Sequence, residues 1–356
     1  MVDPPAPADP ACASLAGAGR LQERSLLERL IAGPVSGDAL ARATGLTLAA
    51  VGTGIQALRA AGVSIDAHAG GVYQLAQPFD LLDNDAIVAA LPAAARARMS
   101  SLTVSWTLDS TNSELQRSRG AAAAAADGAA RVLLAERQTG GRGRRGREWH
   151  SPLAAHLYLS LARSFSGGWS EVGGLSLVAG IATVEALHAL GYRMVRLKWP
   201  NDLVVTAVDG SLRKLGGLLV EGAGEQPGPV RAVIGLGLNV RMPERFGMLL
   251  DQPWCDLSQL PVPTPSRNTL AATIIARWVP ALDEFDRTGL APLLGRYAAI
   301  DAIAGQPIRV SSETAAIAGT AVGLASDGSL RVRLADGSER CFHAGEVSVR
   351  RDGAGR

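Results

Sequence analysis

The spacing of apolar positions changes character three times along this chain. Leu21–Ala32 places its leucines at helical intervals and is stopped by Gly33-Pro34. Ser36 caps a short helix through Ala43 that Gly45 ends, and Thr47 caps a third helix, Leu48–Ala61, that Gly62 ends. Val63–Asp66 and Val72–Leu75 alternate as two short strands around a glycine turn. Helix, helix-turn-helix and β-wing predict a winged helix-turn-helix over residues 20–83. Asp83–Met99 reads as an acidic cap and an Ala-rich helix, a linker over 84–101. From Leu102 to Gly295 the two periods alternate. Thr103–Leu108, Arg131–Glu136, His156–Ala162, Arg193–Trp199 and Ala232–Asn239 are expected strands. Asp202–Thr206 and Gly216–Glu221 form a hairpin turning near Asp209-Gly210. Thr111 and Glu114 make a capping box, and Asn268 caps a long helix with Leu270, Ile274, Trp278, Leu282 and Phe285 on one face. This predicts an α/β domain with a mixed sheet over 102–298. Over 302–351 the period shortens again. Pro307–Ser311, Ala316–Leu324, Leu330–Leu334, Glu339–His343 and Val347–Arg350 are short strands, with hairpin turns at Asp327-Gly328 and Asp336-Gly337, and predict an SH3-like barrel.

Composition narrows the class. The chain has 356 residues, 47% hydrophobic and 19% charged, which suits a globular protein of two or three domains. A formal net charge of +2 is too small to predict nucleic acid as a bulk partner. Cys12, Cys255 and Cys341 are isolated and lack metal-ligand spacing, which points to a reduced, cytoplasmic protein. The N-terminus has neither a basic nor an apolar signal region and reads as a disordered tail over 1–19. The apolar stretch Val172–Leu190 contains Glu185 and His188 and ends at Gly191, which favours a buried helix over a membrane span. Ala121–Ala126 reads as a low-complexity surface insertion.

Four groups of residues carry candidate chemistry. Gly140–Glu148 holds four glycines and four arginines, with Gln138 before it and Trp149 after it. Glycines let backbone N–H groups turn toward an anion, and arginine forks match phosphate or carboxylate, so this is an anion-binding loop. A solvated basic loop or an RNA-binding patch is the plainer reading; a Walker P-loop is excluded because GxxxxGK[ST] is absent. Asp109-Ser110-Thr111-Asn112 sits at a strand-to-helix junction, where hydroxyl and amide groups bind a polar ligand head or simply cap the helix. Lys198-Trp199-Pro200-Asn201-Asp202 ends a strand with Asn-Asp at its rim, either a turn or a Mg²⁺ ligand or base at Asp202. Arg213–Glu221, followed by Ile234–Asn239, places small residues on strands, for close ligand approach or tight sheet packing. Lys198 and Lys214 are the chain's two lysines among 35 basic residues, and both fall in these groups.

In order, these motifs resemble the bifunctional biotin–protein ligase/biotin operon repressor family, from the winged helix near Leu21 to the barrel ending near Arg350. The resemblance implies an α/β (α+β, mixed-sheet) core of the type seen in class II aminoacyl-tRNA synthetases. It implies ATP and Mg²⁺, biotin as substrate, biotinoyl-5′-adenylate as intermediate and a lysine of a biotin carboxyl carrier domain as acceptor. Ser110, Thr111, Asn112 and Gln138 would then hold biotin, and Arg142, Gly143 and Arg144 would contact biotin or its adenylate. Lys214 would hold the carboxylate or α-phosphate. Trp149 would stack on adenine, with Lys198, Asn201, Asp202 and Asn239 on the nucleotide and metal side. Arg142, Arg144, Lys214 and Asp202 are the expected catalytic group. A homodimer through the sheet edge, formed with adenylate bound, is also implied, with no membrane partner.

The winged module departs from what operator binding needs. Its third helix, Thr47–Ala61, would face DNA, yet it contains Gly52 and Gly54, each costing about 1 kcal/mol of helix propensity relative to Ala. Between Leu21 and Asp83 the cations Arg24, Arg29, Arg42 and Arg59 are outnumbered by Glu23, Glu28, Asp38, Asp66, Asp80 and Asp83. A domain that only packs on the ligase is the alternative. The rival activities are a lipoyl or octanoyl ligase, which the Gly/Arg loop disfavours, and a ligand-sensing transcription factor without ligase activity, which the two lysines disfavour.

Overall fold

A computed structural model describes residues 10–118, 128–167, 173–223, 229–312, 316–344 and 348–351. The low-complexity run at 121–126 lies outside the described residues. So do residues 1–9; the rest of the expected tail, from Pro10, is helical instead and opens α1 (Pro10–Ile31).

The N-terminal unit continues with β1 (Val35–Ser36), α2 (Gly37–Thr44), α3 (Leu48–Ala61), β2 (Ile65–His68) and β3 (Val72–Leu75). Ser36 and Thr47 cap α2 and α3 through bonds to Ala39 N and Ala50 N, and Gly45 and Gly62 end them in left-handed geometry. The three strands pair in the order β1-β3-β2. Gly54 has a packing purpose that outweighs its poor helix propensity. A Cβ there would lie 2.4 Å from Leu26 Cδ1, so its absence lets α1 and α3 close on each other.

The expected linker is instead two short helices packed into the main core. α4 (Asn84–Ala90) is capped by Asp83, Pro92 interrupts the run, and α5 (Ala93–Ala97) follows. Ile87, Leu91 and Ala95 are buried there, in the core that lies under the central sheet. The central sheet runs β4 (Met99–Leu108), β5 (Ala130–Gln138), β6 (His156–Phe165), β10 (Val230–Asn239), β9 (Leu212–Ala223), β8 (Asp202–Thr206), β7 (Arg196–Lys198) in spatial order. Only the β4–β5 pair of this described sheet is parallel, so it is mixed. α7 (Leu175–Ala189) is buried along most of its length, as the apolar run at 172–190 predicts. A single turn, α8 (Glu244–Gly247), lies between it and α9 (Arg267–Thr288) in sequence; α7 packs against α9, whose Leu270, Ile274, Trp278, Leu282 and Phe285 are all buried.

Two caps differ from expectation by one or two residues. Ser110, not Thr111, caps α6 (Thr111–Arg117), leaving Thr111 to bond Gln138. Ser266 caps α9; Asn268, inside its first turn, donates to the Leu81 carbonyl and accepts from Asp83 N. At the same helix start Arg267 is fully buried and bonds Asp80 and Glu136 (2.7 Å), fastening the chain that leaves the N-terminal unit to β5. The C-terminal unit is a five-stranded sheet, β14 (Glu339–Phe342), β13 (Leu330–Arg333), β12 (Ala316–Leu324), β11 (Pro307–Ser311), β15 (Ser348–Arg351), whose Ile308, Val310, Ala321, Leu330 and Val332 join the main core.

Candidate active site

β5 ends at Gln138 and β6 begins at His156; the Gly/Arg loop spans them and folds over one face of the sheet. It closes on itself through a bridge between Arg142 and Glu148 and a 3-10 turn at Arg144–Gly146, with Arg145 and Gly146 both left-handed (φ 59° and 70°). Gly141 must be glycine for packing: a Cβ there would meet the Trp149 carbonyl oxygen at 2.5 Å. Beneath the loop lies a cavity of about 470 Å³. Ser110, Thr111, Asn112, Gln138, Arg142, Gly143, Arg144, Trp149, Lys198, Asn201, Asp202 and Lys214 all line it. Twelve of the thirteen expected site positions thus line one cavity, Asn239 being the exception.

One end of the cavity is a network of neutral polar groups. Thr111 N and Oγ1 donate to Gln138 Oε1 (2.9 and 3.1 Å), and Gln138 Nε2 donates to Ser151 Oγ (3.3 Å). Ser160 Oγ lies 2.6 Å from Asn112 Oδ1 and 2.7 Å from Thr111 Oγ1. An amide oxygen only accepts, so the Ser160 hydroxyl donates to Asn112, which fixes the amide's orientation. Glycines on β10 make this end possible. A Cβ on Gly235 would fall 2.3 Å from Asn112 Oδ1, and one on Gly237 would fall 2.4 Å from the Trp149 ring.

The other end is charged. Lys214 Nζ lies 2.7 Å from Asp202 Oδ1 and 5.6 Å from the centre of the Trp149 ring. Arg144 reaches across the cavity, donating to Asn201 Oδ1 (3.0 Å) and to the Ala344 carbonyl of the C-terminal unit. Burial pushes the Arg144 guanidinium below its ordinary pKa, opposed by the Asp202 carboxylate. Burial also pushes the Lys198 ammonium down, with Asp202 pulling it up and Lys214 adding to the depression. Arg142, Arg144, Arg145, Arg147, Lys198, Lys214, Arg350 and Arg351 outnumber the lining carboxylates Glu148, Asp202 and Asp251, a balance that suits a polyanion.

Asn239 does not join the site. Its amide is buried and donates to the Cys255 carbonyl (3.0 Å), a packing bond between β10 and the loop before the 257–259 turn. Other residues enter that motif reading did not assign. Ser151 and Ser160 complete the polar network, Glu221 bonds Asn112 and Arg142, and Arg350 and Arg351 of β15 line the charged end. Glu221 had one visible signal, a lone carboxylate in the apolar run Leu215–Ala223. The arginines of β15 had none, because their approach is set by domain packing.

A magnesium ion that arrives on a nucleotide retains waters and needs one or two protein carboxylates. Asp202 and Asp251 line the cavity and fit that part. Among the described residues no cluster of three His, Cys, Asp or Glu could hold a metal unaided.

The loop's trailing end roots in another core. Leu153 and Ala154 are buried among Leu26, Leu27, Ile55 and Leu58 of the N-terminal unit, and Leu153 N donates to the Ala61 carbonyl (2.8 Å). On that unit, Arg24 pairs with Glu28 (2.9 Å), and Arg59 donates to the Ile65 carbonyl. No helix among the described residues is long and apolar enough to cross a membrane.

A mixed sheet whose Gly/Arg loop covers an elongated cavity, with a small β domain beside it, is the fold of biotin protein ligases. The biotin protein ligase of Aquifex aeolicus in complex with biotin and ATP superposes with a TM-score of 0.57 at 24% identity, over 71% of this chain and all of that one. Residues 108–239 match the biotin/lipoate A/B protein ligase family, and residues 303–350 match the biotin protein ligase C-terminal domain. The bifunctional ligase/repressors BirA of Escherichia coli and Salmonella typhimurium are each 36% identical over 315 residues, 88% of this chain and 92% and 93% of theirs. The chain belongs to the biotin protein ligase family.

Proposed function

We propose that this chain is an ATP-dependent biotin–protein ligase. The observation that carries the reading is the two-ended cavity, with neutral hydrogen-bonding groups at one end, cations at the other and a loop over both. Ser110, Thr111, Asn112 and Gln138 receive the uncharged polar head of biotin. The biotin carboxylate then lies toward Lys214 and attacks the α-phosphorus of ATP. The new C(O)–O–P bond forms as the bond to the β-phosphate oxygen breaks, giving biotinoyl-5′-adenylate and pyrophosphate. Lys214, Lys198 and Arg144 offset the charge that gathers on the phosphate in a site shielded from water. Trp149 offers a stacking face for adenine. Asn201 supports Arg144, and Asp202 with Asp251 would hold a Mg²⁺ arriving with the nucleotide, which would supply further charge to its phosphates. In the second step the neutral amine of a carrier-domain lysine attacks the anhydride carbonyl. An amide forms, AMP leaves, and Asp202 takes the amine proton. The closed loop keeps the anhydride from water in between. Arg142 and Gly143 contribute the stretch of loop beside biotin.

We read the Pro10–Leu75 unit as a winged helix-turn-helix, the C-terminal unit as an SH3-like barrel, and the core as one of the class II aminoacyl-tRNA synthetase type. A homodimer in the adenylate-bound state and a cytoplasmic location follow from the same reading. The names of the E. coli and S. typhimurium relatives favour a second role at operator DNA. The charge balance of the unit and the internal commitments of Arg24 and Arg59 oppose it.

Purified protein incubated with biotin, ATP, Mg²⁺ and a biotin carrier domain is expected to give avidin-detectable carrier. ATP–pyrophosphate exchange driven by lipoate and not by biotin would select the lipoyl ligase instead. A gel shift with biotin-operon DNA in the presence of biotin and ATP decides the repressor role: a retarded band supports it, and free DNA at all protein concentrations rejects it.

A further inference from the structure

The Glu221 carboxylate spans two groups that line the cavity without lining it itself. Its Oε1 accepts from Arg142 Nη2 (3.0 Å) and its Oε2 accepts from Asn112 Nδ2 (2.8 Å). Arg142 Nη1 also donates to Ser113 Oγ (2.9 Å). The leading part of the loop is thus tied to the first turn of α6 through one side chain of β9. We infer that Glu221 is a positioning residue that latches the Gly/Arg loop over the biotin end of the cavity. Its effect on ligand rests on the proposed ligase function; its effect on the loop does not.

Three features make the latch specific. First, Asn112 has no freedom to compensate. Ser160 fixes its oxygen, which occupies the place a Cβ on Gly235 would take, and its nitrogen is shared between Glu221 and the Leu219 carbonyl (3.2 Å). Second, the bonds to Glu221 are charge-assisted and therefore stronger than neutral ones. Side-chain exposures of 42% for Arg142 and 27% for Glu221 moderate this through solvent screening. The latch can therefore open. Third, the loop has a separate fastening at the nucleotide end, where Arg144 bonds Asn201 and the Ala344 carbonyl. Loss of Glu221 frees one end only. Arg142, with its charge already matched by Glu221, serves loop closure, leaving phosphate charge to Arg144 and the lysines.

The test is a double-mutant cycle of Glu221→Ala and Arg142→Ala with two readouts. In ligand-free protein, tryptic cleavage within Arg144–Arg147 is expected to quicken about tenfold in Glu221→Ala, with unchanged Tm. In the enzyme assay, the KM for biotin rises about tenfold and adenylate is lost about tenfold faster, while the KM for ATP stays within twofold. Glu221→Gln, which retains an acceptor, falls between. Adding Glu221→Ala to Arg142→Ala changes the cleavage rate less than twofold, because the loop partner is already gone, while the KM for biotin still rises through the lost bond to Asn112. Additive effects on cleavage, cleavage as slow as in the wild type, or equal rises in both KM values would overturn the latch. A wild-type protein that forms no adenylate from biotin overturns the proposed function, and the cleavage cycle still decides the latch.

Discussion

Lys214 and Asp202 form an ion pair of 2.7 Å on neighbouring strands of the hairpin. The register explains it: β8 and β9 shift at Leu203/Val204, which brings Asp202 opposite Gly217 and lets the Lys214 side chain lie alongside. The absent side chain of Gly217, whose Cβ would sit 3.3 Å from Lys214 Cε, leaves the lysine that path. The pair holds a cation in place before any phosphate arrives. In the proposed adenylation, a phosphate oxygen would compete with Asp202 for the same ammonium.

Lys214→Ala is expected to lower biotin-dependent ATP–pyrophosphate exchange by about 100-fold or more, the scale of removing one preorganised charge-stabilising donor. Wild-type exchange rates in the variant would remove Lys214 from the adenylation step.

Arg144→Gly cuts the bonds to Asn201 and Ala344. The expected result is early release of adenylate and labelling of lysines on bystander proteins, read on an avidin blot. Unchanged adenylate retention would count against a closing role for Arg144.

Asp202→Asn tests the carboxylate's proposed role as base. Mixed with preformed adenylate in a single turnover, it should transfer biotin at least about tenfold more slowly, with the deficit shrinking as pH rises toward the free lysine pKa of about 10.4. Normal transfer at neutral pH would exclude Asp202 as the base.

His156 gives a stability prediction. Complete burial, helped by the nearby Arg267 charge, holds its imidazole at a pKa of about 3, against 6.5 ordinarily. Between those values the unfolded chain binds a proton that the native state does not. The contribution is therefore complete above pH 6.5 and is lost as pH falls, at about 1.4 kcal/mol per pH unit. Urea unfolding at pH 7 and pH 5.5 should differ by about 1.3 kcal/mol in the wild type, the slope steepening to its full value below about pH 5.5, and His156→Gln should reduce that difference. Parallel slopes would show that His156 does not set it.

The elements most readable from sequence were those with strong local signals. Ser36, Thr47, Gly45 and Gly62 bound their helices as expected, and β8, β11 and β12 occupy their expected ranges. Strand β4 begins at Met99 and not Thr103, because Ser100 and Ser101 lie on a polar sheet edge where alternation carries no apolar signal. Asn239 has the right chemistry in the right motif but bonds its own fold, and no local pattern distinguishes those outcomes. Glu221 meets Arg142 across 79 positions and Arg144 meets Ala344 across 200. Such partnerships are products of topology, visible only once the sheet order is known.

Leu153 follows the Gly/Arg loop by four residues beyond Trp149 yet is completely buried with the N-terminal helices. The boundary drawn between domains along the chain is thus crossed in space by the loop's own root. A truncated enzyme starting near residue 84 would leave this leucine facing water, about 2 kcal/mol of apolar burial forgone at the hinge. Any such shortened form would inherit a lid with a loosened heel.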